Sequence, residues 1–302
     1  MIFKFAPSML FAIALCLTAC GGDSSTSVND DESSSSSVIP DSVPGSASSS
    51  SKTDSGTSAG MTSSSEYVPF DHSKTLAEDW RIGENRYKQF TDPRNGRSYY
   101  YIKIVGKNSL KEKDSVTIMA ENLNIGEMVL GKDDQNNDTK IERYCYNNDT
   151  TLCDEFGGLY QWAEMMQLPS RCNTESCSDL IQENHRGICP EGWRLMTYDD
   201  FYIAWHAETN SYGIEGVRSA YSFNGYNSTG LSLTGAGTRT VEGGFADLRN
   251  VVYWFYPEEH EYDVNAFTHA AYVASAENVA GTSRNQRSDK IVGNAVRCVM
   301  VE

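Results

Sequence analysis

The sequence predicts a strand-rich fold with few helices, held together by disulfides. From Trp80 onward, short apolar segments alternate with Gly, Asn and Asp, a pattern typical of short strands joined by turns. Only two segments place apolar residues at helical spacing. Six cysteines lie in this part of the chain, and an even number favours disulfides in an exported protein. The chain has 302 residues, and its foldable part has the size of one domain.

Several strands are expected along this domain. Residues 99–105 follow the turn-forming residues 92–96 and are expected to pair with residues 115–119. The glycine-rich residues 235–244 lack the lysine and the helix start of a phosphate-binding loop, so they are interpreted as a turn-rich hairpin. Further short strands are expected around residues 231–233, 251–256, 270–274 and 295–301.

Two helices are expected between these strands. The first covers residues 159–168, where apolar side chains recur at helical spacing at Leu159, Trp162, Ala163 and Met166. The second covers residues 198–208, with Thr197 as its N-cap and Asp200 in the place that completes a capping box. Its apolar face carries Phe201, Ala204 and Trp205.

The N-terminus has the features of an export signal. Residues 1–19 contain one positive charge, Lys4, then a short apolar run and small residues before Cys20. The run is too short to span a bilayer. Its last four residues, Leu17-Thr18-Ala19-Cys20, resemble the bacterial lipobox, which implies that Cys20 is lipidated and holds the chain to a membrane. The alternative is an ordinary signal peptide with an incidental cysteine.

Residues 20–66 are expected to be a lipidated, disordered tether. Residues 21–66 contain 19 serines, seven acidic residues, one lysine and no aromatic residue, so they cannot bury enough apolar area to fold. The domain is therefore expected over residues 67–302, with its core at about 90–302.

The chain has a net charge of −16, which argues against nucleic acid as a partner and leaves membrane contact to the anchor.

The six cysteines of the domain are Cys145, Cys153, Cys172, Cys177, Cys189 and Cys298. Fifteen pairings are possible. The spacing favours Cys145 with Cys153 across a turn, Cys172 with Cys177, and the remaining two with each other. The competing interpretation is metal or redox chemistry, although no Cys-x-x-Cys motif is present.

An ordered set of motifs resembles the family called the Fibrobacter succinogenes major paralogous domain. The resemblance covers residues 90–302, and its most specific part is Cys189-Pro190-Glu191-Gly192-Trp193 together with the terminal Arg297-Cys298. The other matching segments are residues 92–96, 119–124, 144–148, 158–163, 235–239 and 243–245.

The resemblance implies an α+β fold similar to C-type-lectin-like domains and to the core of formylglycine-generating oxidases. Such a fold has small twisted antiparallel sheets, two main helices and long loops. The sequence departs from the family at Ile118, where the family has Trp, and at residues 254–257. Insertions near residues 127–140 and 170–187 also lengthen the loops.

Two polar segments are considered as metal or catalytic sites. Asp134, Asn136 and Asp138 have the spacing of a calcium loop, but Thr139 and Cys145 stand where that loop needs Gly and Glu, so a solvated loop is preferred. Residues 258–261 (Glu-Glu-His-Glu) combine carboxylates with an imidazole, yet neighbouring side chains on one segment point in alternate directions and rarely converge, so a solvated loop is preferred here too. His185, His206 and His269 are interpreted as isolated. No metal, cofactor or catalytic residue is expected.

Aromatic residues could also form a binding site, because exposed tyrosine and tryptophan rings stack well on sugar rings. Residues 253–256 are expected to form a core strand, and Trp162, Trp193 and Trp205 are also expected in the core. An exposed aromatic surface elsewhere remains an option, and the ligand-binding residues are left unassigned.

These features predict a lipoprotein of the bacterial cell envelope, in the outer membrane or at the cell surface, that displays a non-catalytic lectin-like domain. The expected ligand is a polysaccharide or an envelope protein. One alternative is an exported oxidoreductase related to the formylglycine-generating oxidases. The other is a purely structural or antigenic surface protein.

Overall fold

Two β-sheets and three α-helices make up the described part of the computed structural model, which comprises residues 67–78, 86–276, 278–283 and 286–302. The predicted signal, Cys20 and the tether lie outside these residues. The strands are β1 Lys88–Thr91, β2 Ser98–Lys107, β3 Lys113–Met119, β4 Glu127–Val129, β5 Glu142–Tyr144, β6 Leu159–Tyr160, β7 Trp193–Leu195, β8 Ala236–Arg239, β9 Phe245–Leu248, β10 Val251–Glu259, β11 Phe267–Ala274, β12 Ala280–Gly281, β13 Arg287–Asp289, β14 Asn294–Ala295 and β15 Cys298–Met300. The helices are α1 Thr150–Phe156, α2 Trp162–Met166 and α3 Tyr198–Trp205.

The first sheet is antiparallel and brings the two ends of the domain together. Its strand order is β1-β2-β3-β15-β7. The predicted hairpin is confirmed, since Ile102 lies opposite Ile118 in the β2–β3 pair. In β2, buried Ile102 and Ile104 flank exposed Lys103, as expected for a strand with one face on the core. The C-terminal strand β15 closes the sheet between β3 and β7.

The second sheet is larger and mixed. Its main path is β12-β11-β10-β14-β6-β5-β4, with β13 on β11 and the β8–β9 hairpin on β10. Three of its pairings are parallel: β10 with β14, β10 with β8, and β4 with β5. The expected antiparallel arrangement therefore holds for the first sheet and for most pairings of the second, which is mixed. The hairpin predicted within residues 235–244 is confirmed only in part: its first strand β8 and its turn lie in this range, whereas its second strand β9 lies beyond it, at Phe245–Leu248.

Other strand predictions differ in extent. The strands expected at residues 251–256 and 270–274 are β10 and β11, both longer than predicted. The segment expected at residues 295–301 is divided between β14 and β15. The expectation of a strand at residues 231–233 is wrong, because Leu233 makes only an isolated bridge to Arg218.

Helix α3 has the start that the sequence predicts. Asp200 N donates to Thr197 Oγ1, and Thr197 N donates to the Asp200 carboxylate, which completes the capping box. The helix ends at Trp205, earlier than predicted. It packs closely on β2, because a Cβ at Gly106 would lie 2.3 Å from the carbonyl oxygen of Ile203. Only glycine permits this approach.

The other two helices differ from the sequence prediction. Leu159–Tyr160 is a strand, since it pairs with Tyr144 of β5 and Asn294 of β14, and α2 begins only at Trp162. The sequence does not predict helix α1, because the segment between Cys145 and Cys153 has the features of a turn. Asp149 starts this helix by accepting a hydrogen bond from the backbone N–H of Thr151. The domain therefore has three α-helices in its described residues rather than two main ones.

Three disulfides join the six cysteines in the pairing that the spacing favours. Cys145 is bonded to Cys153, Cys172 to Cys177, and Cys189 to Cys298. All six are buried. The third bridge spans 109 residues and ties the segment before β7 to β15, its neighbour in the first sheet.

None of the helices in the described part of the chain combines the length and the apolarity that a bilayer crossing requires.

Candidate ligand-binding surface

Two exposed tyrosines stack on each other in the loop between α3 and β8. The ring centroids of Tyr212 and Tyr226 are 4.1 Å apart, with an angle of 16° between the ring planes. The two residues are 42% and 55% exposed. We call this pair the tyrosine platform. It presents aromatic surface with a phenolic oxygen at each edge, a combination that suits ligands with both apolar and hydroxyl groups.

A single amide side chain holds the two parts of this loop together. Asn210 Oδ1 accepts hydrogen bonds from Tyr212 N at 3.1 Å and Ser228 Oγ at 2.9 Å. Its Nδ2 donates to the carbonyl oxygens of Trp205 at 2.7 Å and Gly213 at 2.8 Å. Asn210 therefore links the end of α3 to the backbone beside Tyr212 and to the side chain of Ser228, two residues after Tyr226.

Contacts around the buried Arg218 also hold the backbone of the platform in place. Arg218 is fully buried, and its Nη1 donates to the carbonyl oxygen of Ala274 at 2.6 Å, at the end of β11. A Cβ at Gly225 would lie 2.2 Å from the carbonyl oxygen of Arg218, so the chain passes close over this arginine just before Tyr226. Tyr226 N in turn donates to Glu215 O at 3.0 Å. The tyrosine rings thus stand on an ordered backbone.

A cavity of about 290 Å³ opens beside the platform. Tyr226 forms part of its wall, and the exposed residues Lys74 and Glu78, which also line it, provide a donor and an acceptor. This volume is close to the lower limit of typical small-ligand sites. The surface therefore combines stacking with polar contacts of both kinds.

The predictions about the core aromatics are mostly confirmed. Trp162 and Trp193 are buried, whereas Trp205 is only half-buried. In the run of residues 253–256, which lies in β10, Tyr253 is half-buried and the other three are buried. The tyrosine platform could not be located from the sequence, because it depends on a loop that folds back on itself.

The acidic segment at residues 258–261 is not a solvated loop. The Glu259 carboxylate is buried and forms an ion pair of 2.7 Å with the buried Lys290. His260 is buried as well, and its ring centroid lies 4.7 Å from that of His269. His269 Nε2 lies 3.0 Å from Glu261 Oε2. The prediction that His269 is isolated is therefore wrong.

The convergence of His260, Glu261 and His269 has a simple structural cause. Strand β10 ends at Glu259, so the alternation of side chains that the sequence argument assumes does not extend to the next two residues. The backbone turns there, and β11 brings His269 alongside. A backbone hydrogen bond and the two neighbouring histidines lower the pKa of Glu261. One ligand atom from each of the three residues lies within 4.8 Å of the others.

The segment considered as a calcium loop makes protein contacts. Asp134 Oδ1 accepts from Gln161 Nε2 at 2.9 Å and from Arg239 Nη2 at 3.2 Å. Asp138 Oδ1 accepts from the backbone N–H of Ser170 at 2.7 Å. These carboxylate oxygens therefore bind donors on different segments of the chain.

His185 and His206 lie apart from the His260 cluster. His185 Nε2 is 2.8 Å from the carbonyl oxygen of Met166. His206 stacks on Tyr202 with 3.9 Å between ring centroids and contacts the carbonyl oxygen of the same residue. Both histidines contact backbone carbonyl oxygens, as is usual for histidines with a structural role.

A buried polar cluster near the start of the described residues was missed in the sequence. His72 Nδ1 lies 3.1 Å from Glu121 Oε2, and Arg97 Nη1 lies 2.6 Å from Asp154 Oδ1. Asp154 Oδ2 also accepts from Phe70 N at 2.6 Å. These contacts fasten residues 67–75 to the rest of the domain. They join residues far apart in the chain, and no local pattern indicates them.

The fold and this surface define a class: a disulfide-bonded, strand-rich domain whose exposed aromatic loop suits ligand binding. The family model of the Fibrobacter succinogenes major domain matches residues 116–300. The chain belongs to this family, as its motifs predict, although the match does not include residues 92–96. No curated protein and no solved structure matches this chain.

Proposed function

We propose that this chain is a lipoprotein of the bacterial cell envelope, in the outer membrane or at the cell surface, whose domain binds a polysaccharide without catalysing a reaction. The observation that carries the proposal is the tyrosine platform, Tyr212 and Tyr226. Large aromatic side chains are mostly buried in the described residues; of the four exposed tyrosines there, Tyr67, Tyr212, Tyr226 and Tyr262, only Tyr212 and Tyr226 stack on each other.

Polysaccharide is the ligand that best fits this surface. A sugar ring has an apolar face that stacks on an aromatic ring and hydroxyl groups that both donate and accept hydrogen bonds. The platform supplies the stacking surface, and Lys74 and Glu78, which line the adjacent cavity, supply polar groups of both kinds. The ordered backbone around Asn210 reduces the entropy that binding would cost.

The proposal includes a C-type-lectin-like architecture, related to that of formylglycine-generating oxidases. Its support is the resemblance in the Cys189–Trp193 and Arg297-Cys298 motifs, which the structure joins through a disulfide and the β7–β15 pairing. A binding role is favoured over an oxidase role because the six cysteines of the described domain are all buried in disulfides. An oxidase of that type needs a reactive thiol.

The anchor is tested by replacing Cys20 with serine in the producing bacterium. Lipidation requires the thiol, so Cys20→Ser is expected to abolish incorporation of labelled palmitate and to release the chain from the membrane fraction. Cys16→Ser is the matched control, because this cysteine lies within the predicted signal, and it should leave both properties unchanged. Equal labelling of the two variants would contradict the assignment of Cys20.

The binding function is tested by retention on insoluble polysaccharides. The complete chain, solubilised in mild detergent, is incubated with a panel that includes cellulose, xylan, chitin and peptidoglycan, and the bound fraction is measured by immunoblot. Retention is expected on at least one member and should be competed by soluble fragments of that polysaccharide. Lack of retention on every member, with an envelope protein recovered by crosslinking instead, would contradict the proposal.

A further inference from the structure

The turn between β10 and β11 brings together three side chains that ligate metals. His260 follows the last residue of β10, Glu261 lies in the turn, and His269 lies in β11. Each offers one ligand atom, and these atoms lie within 4.8 Å of one another. The two imidazoles are buried, whereas the Glu261 side chain is 58% exposed and borders solvent. The cluster is therefore accessible from one side.

Buried contacts hold this turn in its present shape. Lys290 Nζ donates to the carbonyl oxygen of Val264 at 2.5 Å and to Glu259 Oε1 at 2.7 Å. His260 N donates to Phe267 O at 3.1 Å, and Phe267 N donates to Asp263 O at 3.0 Å. The backbone that carries His260 and Glu261 is therefore fixed at both ends, so the three side chains remain close together without a bound ion.

The hydrogen bonding of His269 is incomplete in the protein alone. Its Nε2 lies 3.0 Å from Glu261, but its buried Nδ1 has no hydrogen-bond partner among the described residues. Buried polar atoms without partners are rare and call for an explanation. A neutral imidazole carries one proton. When that proton is on Nδ1, Nε2, the nitrogen beside Glu261, is unprotonated and can bind a cation.

The donor set indicates which cation fits. Two imidazoles and one carboxylate suit Zn²⁺ and related divalent transition metals, whereas Ca²⁺ and Mg²⁺ prefer oxygen ligands. Around tetrahedral Zn²⁺, with bonds of about 2.0–2.1 Å, ligand atoms lie about 3.3 Å apart. The His269–Glu261 distance of 3.0 Å is already close to this value. The other separations are at most 4.8 Å, so they must shorten by up to about 1.5 Å when the ion binds.

We propose that His260, Glu261 and His269 form a binding site for one Zn²⁺ ion, with a solvent molecule as the fourth ligand. The site links the end of β10 to β11. It is independent of the polysaccharide-binding function proposed above, because it involves none of the residues of the tyrosine platform.

Zinc binding by the complete chain tests this site. The protein is prepared free of metal and titrated with ZnCl₂ against a chromophoric chelator, with the stoichiometry confirmed by elemental analysis after dialysis. His269→Gln and Glu261→Gln are each expected to weaken this binding at least tenfold. His206→Gln is the matched control, since it removes an imidazole outside the cluster, and any uptake by Cys16 or Cys20 is common to all the proteins.

Each outcome decides the proposal. One equivalent of zinc that is weakened by both cluster variants and unaffected by His206→Gln supports the site. Absence of binding by the wild-type chain, or equal affinity in Glu261→Gln and the wild type, would overturn it. Because the Glu261 side chain is largely exposed, that variant is expected to fold normally, and its thermal melting without metal checks this directly.

Discussion

Glu121 is a buried carboxyl group beside the first described segment of the chain. Its Oε1 accepts a hydrogen bond from Tyr100 N at 2.6 Å, and its Oε2 lies 3.1 Å from His72 Nδ1. Burial raises the pKa of Glu121 to about 7. Burial and the positive charge of Arg97 lower the pKa of His72 to about 4. Near neutral pH the fold therefore keeps His72 uncharged and leaves Glu121 partly protonated.

Replacing Glu121 with glutamine is expected to make the domain less sensitive to pH. The folded-state pKa of about 7 lies above the ordinary glutamate value of 4.5, so the folded state retains this proton more tightly and the wild type loses stability as pH rises from about 4.5 to about 7. The glutamine side chain has nearly the same shape as that of glutamate and carries no charge. Glu121→Gln should therefore gain stability relative to the wild type at pH 8, by about 1–3 kcal/mol, and show little gain at pH 5.

Urea denaturation of the two proteins at pH 5 and pH 8 checks this expectation. The exposed Glu191 provides a matched control, because Glu191→Gln should show no difference in stability that depends on pH in this way. A stability difference between Glu121→Gln and the wild type that is the same at both pH values would contradict the assignment of Glu121.

Elements with strong local signals were predictable from the sequence. The capping box at Thr197 and Asp200 predicts the start of α3, and the strand-forming residues 99–105 after the turn at residues 92–96 predict the first hairpin. Cysteine spacing gave the disulfide pairing, because Cys145–Cys153 and Cys172–Cys177 are each close in the chain. In these cases the information lies within a few residues of the element itself.

Elements that depend on distant partners were not predictable. Leu159–Tyr160 has helical spacing, yet pairing with β5 and β14 makes it a strand. The sequence does not predict that His260, Glu261 and His269 converge, because β10 ends at Glu259 and the alternation of side chains along a strand does not extend to the next two residues. The tyrosine platform depends on the side chain of Asn210, whose four bonds have no signature in the sequence.

The disulfides are expected to differ in their effect on stability. The Cys189–Cys298 bridge closes a loop with a sequence separation of 109, whereas Cys172–Cys177 closes one with a separation of 5. Loop-closure entropy predicts a contribution of about 5 kcal/mol from the long bridge and about 2 kcal/mol from the short one. Replacing both cysteines of each bridge with alanine and measuring urea denaturation compares them directly, since all four side chains are buried.

A larger loss of stability from removing the short bridge than from removing the long one would contradict this ranking. It would show that local packing, rather than the constraint on the unfolded chain, determines how these bridges stabilise the domain.

At the scale of the whole molecule, the proposed function gives three parts of the chain separate roles. In this proposal Cys20 anchors the chain, residues 21–66 hold the domain away from the membrane, and the domain binds its ligand. The net charge of −16 is consistent with this division, because it disfavours close contact between the domain and an anionic lipid surface. The anchor and the tether lie outside the described residues and remain predictions.

The dissociation constant for the retained polysaccharide is the most direct test of the binding surface. It is measured by isothermal titration calorimetry with a soluble fragment of that polysaccharide, for the wild type, Tyr226→Ala and Tyr262→Ala. Tyr262 is the matched control, because it is 83% exposed and lies in the β10–β11 turn, away from the platform. Loss of one stacking ring, at about 1–2 kcal/mol, predicts about 5–30-fold weaker binding for Tyr226→Ala and unchanged binding for Tyr262→Ala. Equal affinity of Tyr226→Ala and the wild type would contradict the tyrosine platform as the binding site.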